Sequence, residues 1–169
     1  SNPAPATNNK PYMGFFCKVK MDTTYIKELL TEDIESLGCY IWGIEFFGRH
    51  KNQTLRIYID KEDKDGISID DCEKVSKHVS KLLDVENNFS NKCLLEVSSP
   101  GLERKFFSED QYHNYINSAI KVRYINELNK KASISGTLSK VTKEGLFLLS
   151  PNGDQRVPFS SIIQANLIM

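Results

Sequence analysis

The acidic loop DKEDKDG is the strongest candidate for metal chemistry in this sequence. It places Asp63, Asp65 and Gly66 at the third, fifth and sixth positions of a calcium-binding EF-hand loop. In that register Lys61 and Cys72 occupy the first and twelfth positions, which must supply oxygen ligands. The pattern therefore predicts a solvated loop, with no metal and no other cofactor.

Catalytic groups are scattered along the chain. The three histidines, His50, His78 and His113, fall in three different predicted elements, and none lies beside a nucleophile motif. The G-x-S-x-G, Walker A and G-x-G-x-x-G motifs are absent. We predict a protein without catalytic residues. A weak alternative is a hydrolase that uses Asp63 and Asp65.

The four cysteines, Cys17, Cys39, Cys72 and Cys93, form no C-x-x-C pair. The last three fall on apolar faces of predicted elements. Free buried thiols in a reducing cytoplasm are the expected state, with disulfide pairing as the lesser alternative.

The net charge of zero hides an uneven distribution. Residues 21–100 carry ten Lys/Arg and sixteen Asp/Glu, whereas residues 101–169 carry nine and six. An acidic surface suits a basic protein, and a basic one suits phosphates. No apolar run reaches about 18 residues, so no membrane helix is expected. Residues 1–20 show no secretory signal and are expected to form a flexible tail, with Met21 as an alternative start.

The first half alternates helical and strand patterns. A first helix begins at Asp22 or Thr23, carries an apolar stripe and stops at Gly38. A second helix opens at Asp70, with Glu73 completing a capping box. The predicted strands are residues 39–47, 55–60 and 95–98. The order α-β-β-α-β favours a two-layer domain, residues 21–101, with helices packed on an antiparallel sheet.

The second half is rich in strand patterns. After a helical turn from Ser108 to Ile116, alternation and turn signals predict five short strands, the last preceded by a 3₁₀ turn. The Asn152-Gly153 pair is a strong hairpin signal. This pattern predicts an all-β SH3-like or Sm-like barrel over residues 102–169. The fold class is therefore α+β with two domains.

The residues Ser98, Ser99, Pro100 and Gly101 join the two predicted domains. Proline presets the second position of a type II turn, and glycine accepts the positive φ of the third. We expect this interdomain turn to set the angle between the domains.

Several segments of the sequence resemble the RimP family of ribosome maturation factors. The departures are Glu103, Lys105 and Gln164, where the family usually has Asp, Pro and Lys. The segments that carry the resemblance are Ile34–Gly38, Trp42–Phe46, Leu55–Asp60, Gly66–Cys72, Leu82–Glu86, Leu95–Leu102 and Ala165–Leu167.

The resemblance implies a cytoplasmic, monomeric and non-enzymatic factor that assists assembly of the small (30S) ribosomal subunit. Its partners would be the immature subunit, a basic small-subunit ribosomal protein and nearby ribosomal RNA. The alternative is an Sm-like RNA-binding regulator, which would form rings. Any single cation in the second half is compatible with plain solvation. The residues that we take as candidates for ribosome contact are Arg104, Lys105, Arg123, Lys130, Lys131 and Arg156.

Overall fold

The computed structural model describes residues 23–49, 52–87 and 93–169, and the chain divides into two compact units. The first unit is residues 1–99, and the second is residues 100–169. Each unit has its own β-sheet, three-stranded in the first and five-stranded in the second. The chain is therefore a mixed α+β protein, as the sequence predicts.

Helix α1 spans Thr23–Ser36 and packs through one apolar stripe. Ile26, Leu30 and Ile34 recur every four residues, so they share one face of the helix, and all three are fully buried. Gly38 follows with φ +84°, a left-handed conformation that glycine adopts without the steric cost of a Cβ. The local pattern thus predicts both the helix and its end correctly.

The sheet of the first unit has the order β1–β2–β3, with strands at Tyr40–Arg49, Asn52–Asp60 and Cys93–Ser98. Strands β1 and β2 are antiparallel, but β2 and β3 are parallel. The prediction of an antiparallel sheet is therefore wrong at β3. The cause is helix α2, Ile69–Asn87, which crosses between β2 and β3 and returns the chain to the end where β2 began.

The N-terminus of α2 is capped two residues earlier than predicted. Asp71 N donates to Ser68 Oγ at 3.1 Å, and Ser68 N donates to Asp71 Oδ2 at 2.9 Å. This is a reciprocal capping box around Ser68, so the predicted box between Asp70 and Glu73 is wrong. The cap precedes the first helical residue, which is Ile69.

The core of the first unit lies between the two helices and one face of the sheet. Strand β2 contributes alternate residues to it, Leu55, Ile57 and Ile59, and all three are fully buried. Each such side chain contributes roughly 1.5–3 kcal/mol before conformational entropy is subtracted. The intervening side chains of β2 therefore lie on the opposite face of the sheet.

The second unit is one antiparallel sheet with the order β7–β6–β5–β4–β8. Strands β7 and β8 are its two edges, and no pairing joins them within residues 100–169, all of which are described. The closed SH3-like or Sm-like barrel is therefore not confirmed. The strands are Ala119–Ile125, Lys131–Val141, Gly145–Leu149, Gln155–Pro158 and Ile162–Leu167, numbered β4 to β8.

Two short 3₁₀ segments accompany this sheet. Glu109–Tyr115 precedes β4, and Phe159–Ser161 leads from β7 into β8, as the sequence predicts. Tyr112 stacks on Phe106 with ring centroids 4.2 Å apart, and burial raises the pKa of Tyr112 to about 12. This aromatic pair anchors the first of the two segments.

The cysteines differ from the expectation of free thiols at one position. Cys39 is buried, Cys72 is half-buried and both are free, and burial raises the pKa of each. Cys93 is disulfide-bonded, so the prediction of a free thiol is wrong there. A disulfide between residues distant in sequence has no spacing signature, which explains the error. Cys17 lies outside the described residues.

Candidate functional site

Strand β4 is the middle strand of the segment β5–β4–β8, and its residues alternate between two environments. Ile120 and Val122 are fully buried, whereas Lys121 and Arg123 are exposed. Because successive side chains of a strand point to opposite faces, the two cations share the outer face. They lie roughly 7 Å apart along the strand.

Antiparallel pairing places uncharged polar residues beside these cations. Lys121 is directly opposite Ser135 on β5 and Asn166 on β8. Directly opposed residues have Cβ atoms about 4.5–5.5 Å apart on the same face of the sheet. The row that contains Arg123 has Ser133 on one side and Gln164 on the other.

Two further cations lie at the borders of this surface. Lys105 forms an isolated β-bridge with Asn166, and its ammonium lies 5.4 Å from the centroid of the Phe107 ring. Lys131, at the start of β5, is opposite Ile125 and exposed. We call the resulting surface the basic face. Its residues are Lys105, Lys121, Arg123, Lys131, Ser133, Ser135, Gln164 and Asn166.

No carboxylate balances the basic face from within its strands. Strands β4, β5 and β8 contain no Asp or Glu. Within the described ranges, Lys121, Arg123 and Lys131 make no ion pair. Their charges are therefore directed at solvent or at a partner.

The other three candidate residues lie elsewhere in the second unit. Arg156 on β7 forms an ion pair with Glu144, with Nη2 and Oε2 2.8 Å apart. Arg104 Nε donates to the carbonyl of Gly101 at 3.0 Å. Lys130 lies in the β4–β5 loop and is exposed.

That loop is held by one side chain. Asn126 Oδ1 accepts hydrogen bonds from the backbone N–H groups of Leu128 and Lys130, at 2.9 and 3.0 Å. Lys130 is therefore held next to the first residue of β5, at the border of the basic face. Beside the loop is a depression of about 650 Å³ whose lining includes Tyr124 and Arg156. Tyr124 Oη accepts from Gln155 Nε2 at 2.8 Å, so this hydroxyl serves the fold.

The structure thus groups Lys105, Arg123 and Lys131 and leaves the other candidates outside the group. Sequence reasoning did not select Lys121. The signal was present, because Ile120 and Val122 predict an inward face for β4 and therefore an outward Lys121. The pairing of Lys121 and Arg123 with residues of β5 and β8 has no signal in the local sequence.

The role of Ser98–Gly101 as an interdomain turn stays a prediction. Strand β3 ends at Ser98, and Gly101 has φ +78°, a left-handed conformation that favours glycine. A Cβ on Gly101 would meet no atom within 4 Å, so conformational strain alone opposes a larger residue.

The outer face of the first sheet carries charges that neutralise one another. Arg56 on β2 is opposite Glu45 on β1 and Glu96 on β3. Its Nε and Nη2 both lie 2.7 Å from Glu96 Oε2, and its guanidinium lies 4.7 Å from the centroid of the Phe47 ring. Tyr58 Oη donates to Glu45 Oε1 at 2.8 Å. This face is therefore an internally satisfied network.

The acidic loop and the histidines show the same internal use of polar groups. Asp63 Oδ1 accepts from Asp65 N at 3.2 Å, which shapes the turn before α2. His78 Nε2 on α2 lies 3.2 Å from Asp33 Oδ1 on α1. Across the described ranges no three metal-binding side chains cluster, and no helix is long and apolar enough to cross a bilayer. His50 lies outside the described residues.

The first unit packs two helices on a three-stranded sheet, and the second unit presents the basic face on a five-stranded antiparallel sheet, an arrangement suited to binding through surfaces. Comparison with family models identifies a related domain. Residues 29–103 match the RimP N-terminal domain, a span that covers β1 to β3, α2 and the turn at Gly101. This match supports a RimP family protein. Proteins of the RimP family are non-catalytic maturation factors, and the family implies a ribosome-related partner.

Proposed function

We propose that this protein binds immature small (30S) ribosomal subunits in the cytoplasm and assists their assembly without catalysis or a cofactor. The observation that carries the proposal is the match of residues 29–103 to the RimP N-terminal domain. A factor of this kind holds a ribosomal protein or an RNA segment in an arrangement that permits assembly, and then dissociates.

The two units suit different parts of such a partner. The acidic first unit suits a basic small-subunit ribosomal protein, because opposite charges raise the rate of encounter. The basic face of the second unit suits ribosomal RNA. Within it we assign the principal contacts to Lys105, Lys121, Arg123 and Lys131, and we give Arg104, Lys130 and Arg156 a peripheral role.

The turn Ser98–Gly101 has a positioning role in this proposal. We assign it the orientation of two domains, residues 21–101 and 102–169, the second of which would be an SH3-like or Sm-like barrel. Gly101→Val should strain the positive φ by roughly 1–2 kcal/mol and change the orientation. Small-angle scattering of Gly101→Val beside Gly101→Asn, which tolerates this φ better, tests the role. Identical scattering profiles for the two variants would show that the turn does not set the orientation of the domains.

Cosedimentation with ribosomal particles tests the function. The protein should pellet with immature small subunits and, at the same salt concentration, remain in the supernatant with mature large subunits. Equal pelleting with both particles would reduce the interaction to general attraction between charges and would refute the proposal.

A second candidate, an Sm-like RNA-binding regulator, is favoured by the position of the basic face on the five-stranded sheet. Such regulators act as rings, whereas we propose a monomer. The molar mass in solution separates the two candidates, because a ring has several times the 19.3 kDa of one chain.

A further inference from the structure

We propose that the basic face binds the sugar–phosphate backbone of double-helical RNA and does not read single-stranded bases. The inference rests on the proposed function, because it names the chemical partner of the same surface. It is carried by three features of that surface: the unpaired charges of Lys121, Arg123 and Lys131, the neutral polar residues beside them and the lack of an open aromatic platform.

The first feature is uncompensated charge. Lys121, Arg123 and Lys131 have no ion-pair partner within the described residues, whereas Arg156 of the same unit is bound to Glu144. A cation that already holds a carboxylate must release it before it can take a phosphate. The unpaired cations carry no such cost, and each phosphate that they neutralise releases counterions.

The second feature is the spacing and the chemistry between the cations. Lys121 and Arg123 lie roughly 7 Å apart on one strand, and Lys131 is offset from Arg123 by one strand and two residues, roughly another 7–8 Å. The side chains between them include Ser133 and Ser135, which are short and can donate hydrogen bonds. The sugar–phosphate backbone of an RNA duplex can therefore approach the cations closely. Its phosphate and 2′-hydroxyl oxygens can accept hydrogen bonds from these serines.

The third feature concerns aromatic rings. Recognition of single-stranded bases relies on exposed rings on which bases stack. The strand residues of the basic face include no aromatic residue, since Tyr124 belongs to the opposite set of β4 and is hydrogen-bonded to Gln155. At the border, Phe107 is half-buried beneath the ammonium of Lys105. The surface therefore suits the regular backbone of a duplex.

The experiment measures binding of the full chain to an RNA hairpin with a stem of about 16 base pairs, the length a double-stranded RNA module spans. An unpaired RNA of equal length and composition is measured beside it. Fluorescence anisotropy over a series of salt concentrations gives the affinity and the salt slope. The wild-type protein should prefer the hairpin at least tenfold. The pair Lys121→Gln with Arg123→Gln should weaken hairpin binding by roughly 10- to 100-fold and reduce the slope by about 2.

The control removes two lysines from the same unit outside the basic face. Lys140→Gln with Lys143→Gln should leave the affinity within about threefold and the slope unchanged, because phosphate contacts and not net charge determine the slope. Lys131→Gln is a second variant of the basic face and should reduce the slope by about 1. Melting temperatures equal to wild type establish that all variants are folded.

Equal affinity for the unpaired RNA, or a slope that ignores Lys121 and Arg123, would overturn the inference. Cosedimentation of the same variants separates this failure from failure of the proposed function. If wild type pellets with immature subunits and the basic-face variant does not, while neither binds the hairpin, the face contacts protein and only the RNA inference fails. If hairpin binding depends on the basic face but no subunit is bound, the RNA inference stands and the proposed function fails.

Discussion

The two sheets place an arginine in the same setting and use it in opposite ways. In the first unit the central strand carries Arg56 between Glu45 and Glu96. In the second unit β4 carries Arg123 between Ser133 and Gln164. A cation whose cross-strand neighbours are carboxylates forms ion pairs within the fold. A cation whose cross-strand neighbours are neutral remains able to bind a partner.

This difference also explains why net charge describes the protein poorly. The chain sums to zero, yet β4, β5 and β8 contain no acid. A sum treats Arg56 and Arg156, which have carboxylate partners, like Arg123, which has none in the described structure. The strand register shows which of Arg56 and Arg123 lies opposite a carboxylate and which does not.

The largest expected effect comes from copying the first arrangement into the second unit. Ser133→Glu with Gln164→Glu would surround Arg123 with two carboxylates, as Arg56 is surrounded. Association with immature subunits should weaken by more than about 100-fold, because Arg123 is neutralised and two like charges meet the phosphates. Cosedimentation at increasing protein concentration measures it.

The matched control keeps the same positions neutral. Ser133→Gln with Gln164→Ser should bind within about threefold of wild type, since no charge changes. If the double-glutamate variant bound as well as wild type, Arg123 would not need neutral neighbours to bind a partner. The contrast drawn between Arg56 and Arg123 would then be wrong.

Much of each unit could be predicted from local pattern. Four-residue spacing of Ile26, Leu30 and Ile34 predicts α1, and alternation of Ile120 and Val122 predicts a strand with one buried face at β4. These elements are set by which residues lie within one helical turn or one strand repeat. The sequence alone contains that information.

What could not be predicted is non-local. The parallel pairing of β3 depends on where α2 returns the chain, and the disulfide at Cys93 depends on a partner without a spacing signature. The basic face depends on the register that β5 and β8 adopt against β4. A shift of one residue would turn every side chain to the other face, so scattered cations could not be grouped beforehand.

A smaller effect should separate the two arginines in stability. Arg56→Met removes two contacts to Glu96, the contact with the Phe47 ring and the only cation in its row, so it should cost about 1 kcal/mol. Arg123→Met should change the free energy of unfolding by less than about 0.5 kcal/mol. Urea unfolding measures both values, with fluorescence of Trp42, the one tryptophan, reporting on the first unit. Equal costs would show that the carboxylates around Arg56 contribute nothing to the fold.

The smallest effect concerns the pH dependence of the first unit, where charge also serves the fold. Hydrogen bonds from Ser68, together with the ammonium of Lys61 at 3.0 Å, lower the pKa of Asp71 from 3.8 to about 2. A lowered carboxyl pKa contributes stability above pH 3.8, and that contribution is lost as the pH falls toward 2.

Asp71→Asn should therefore be less stable than wild type at pH 7, and the difference should shrink between pH 4 and pH 2. Ser68→Ala, which removes one of the hydrogen bonds, should give a weaker form of the same trend. Trp42 fluorescence in urea at each pH measures it, and a difference that stays constant down to pH 2 would show that Asp71 acts in α2 through shape and not through charge.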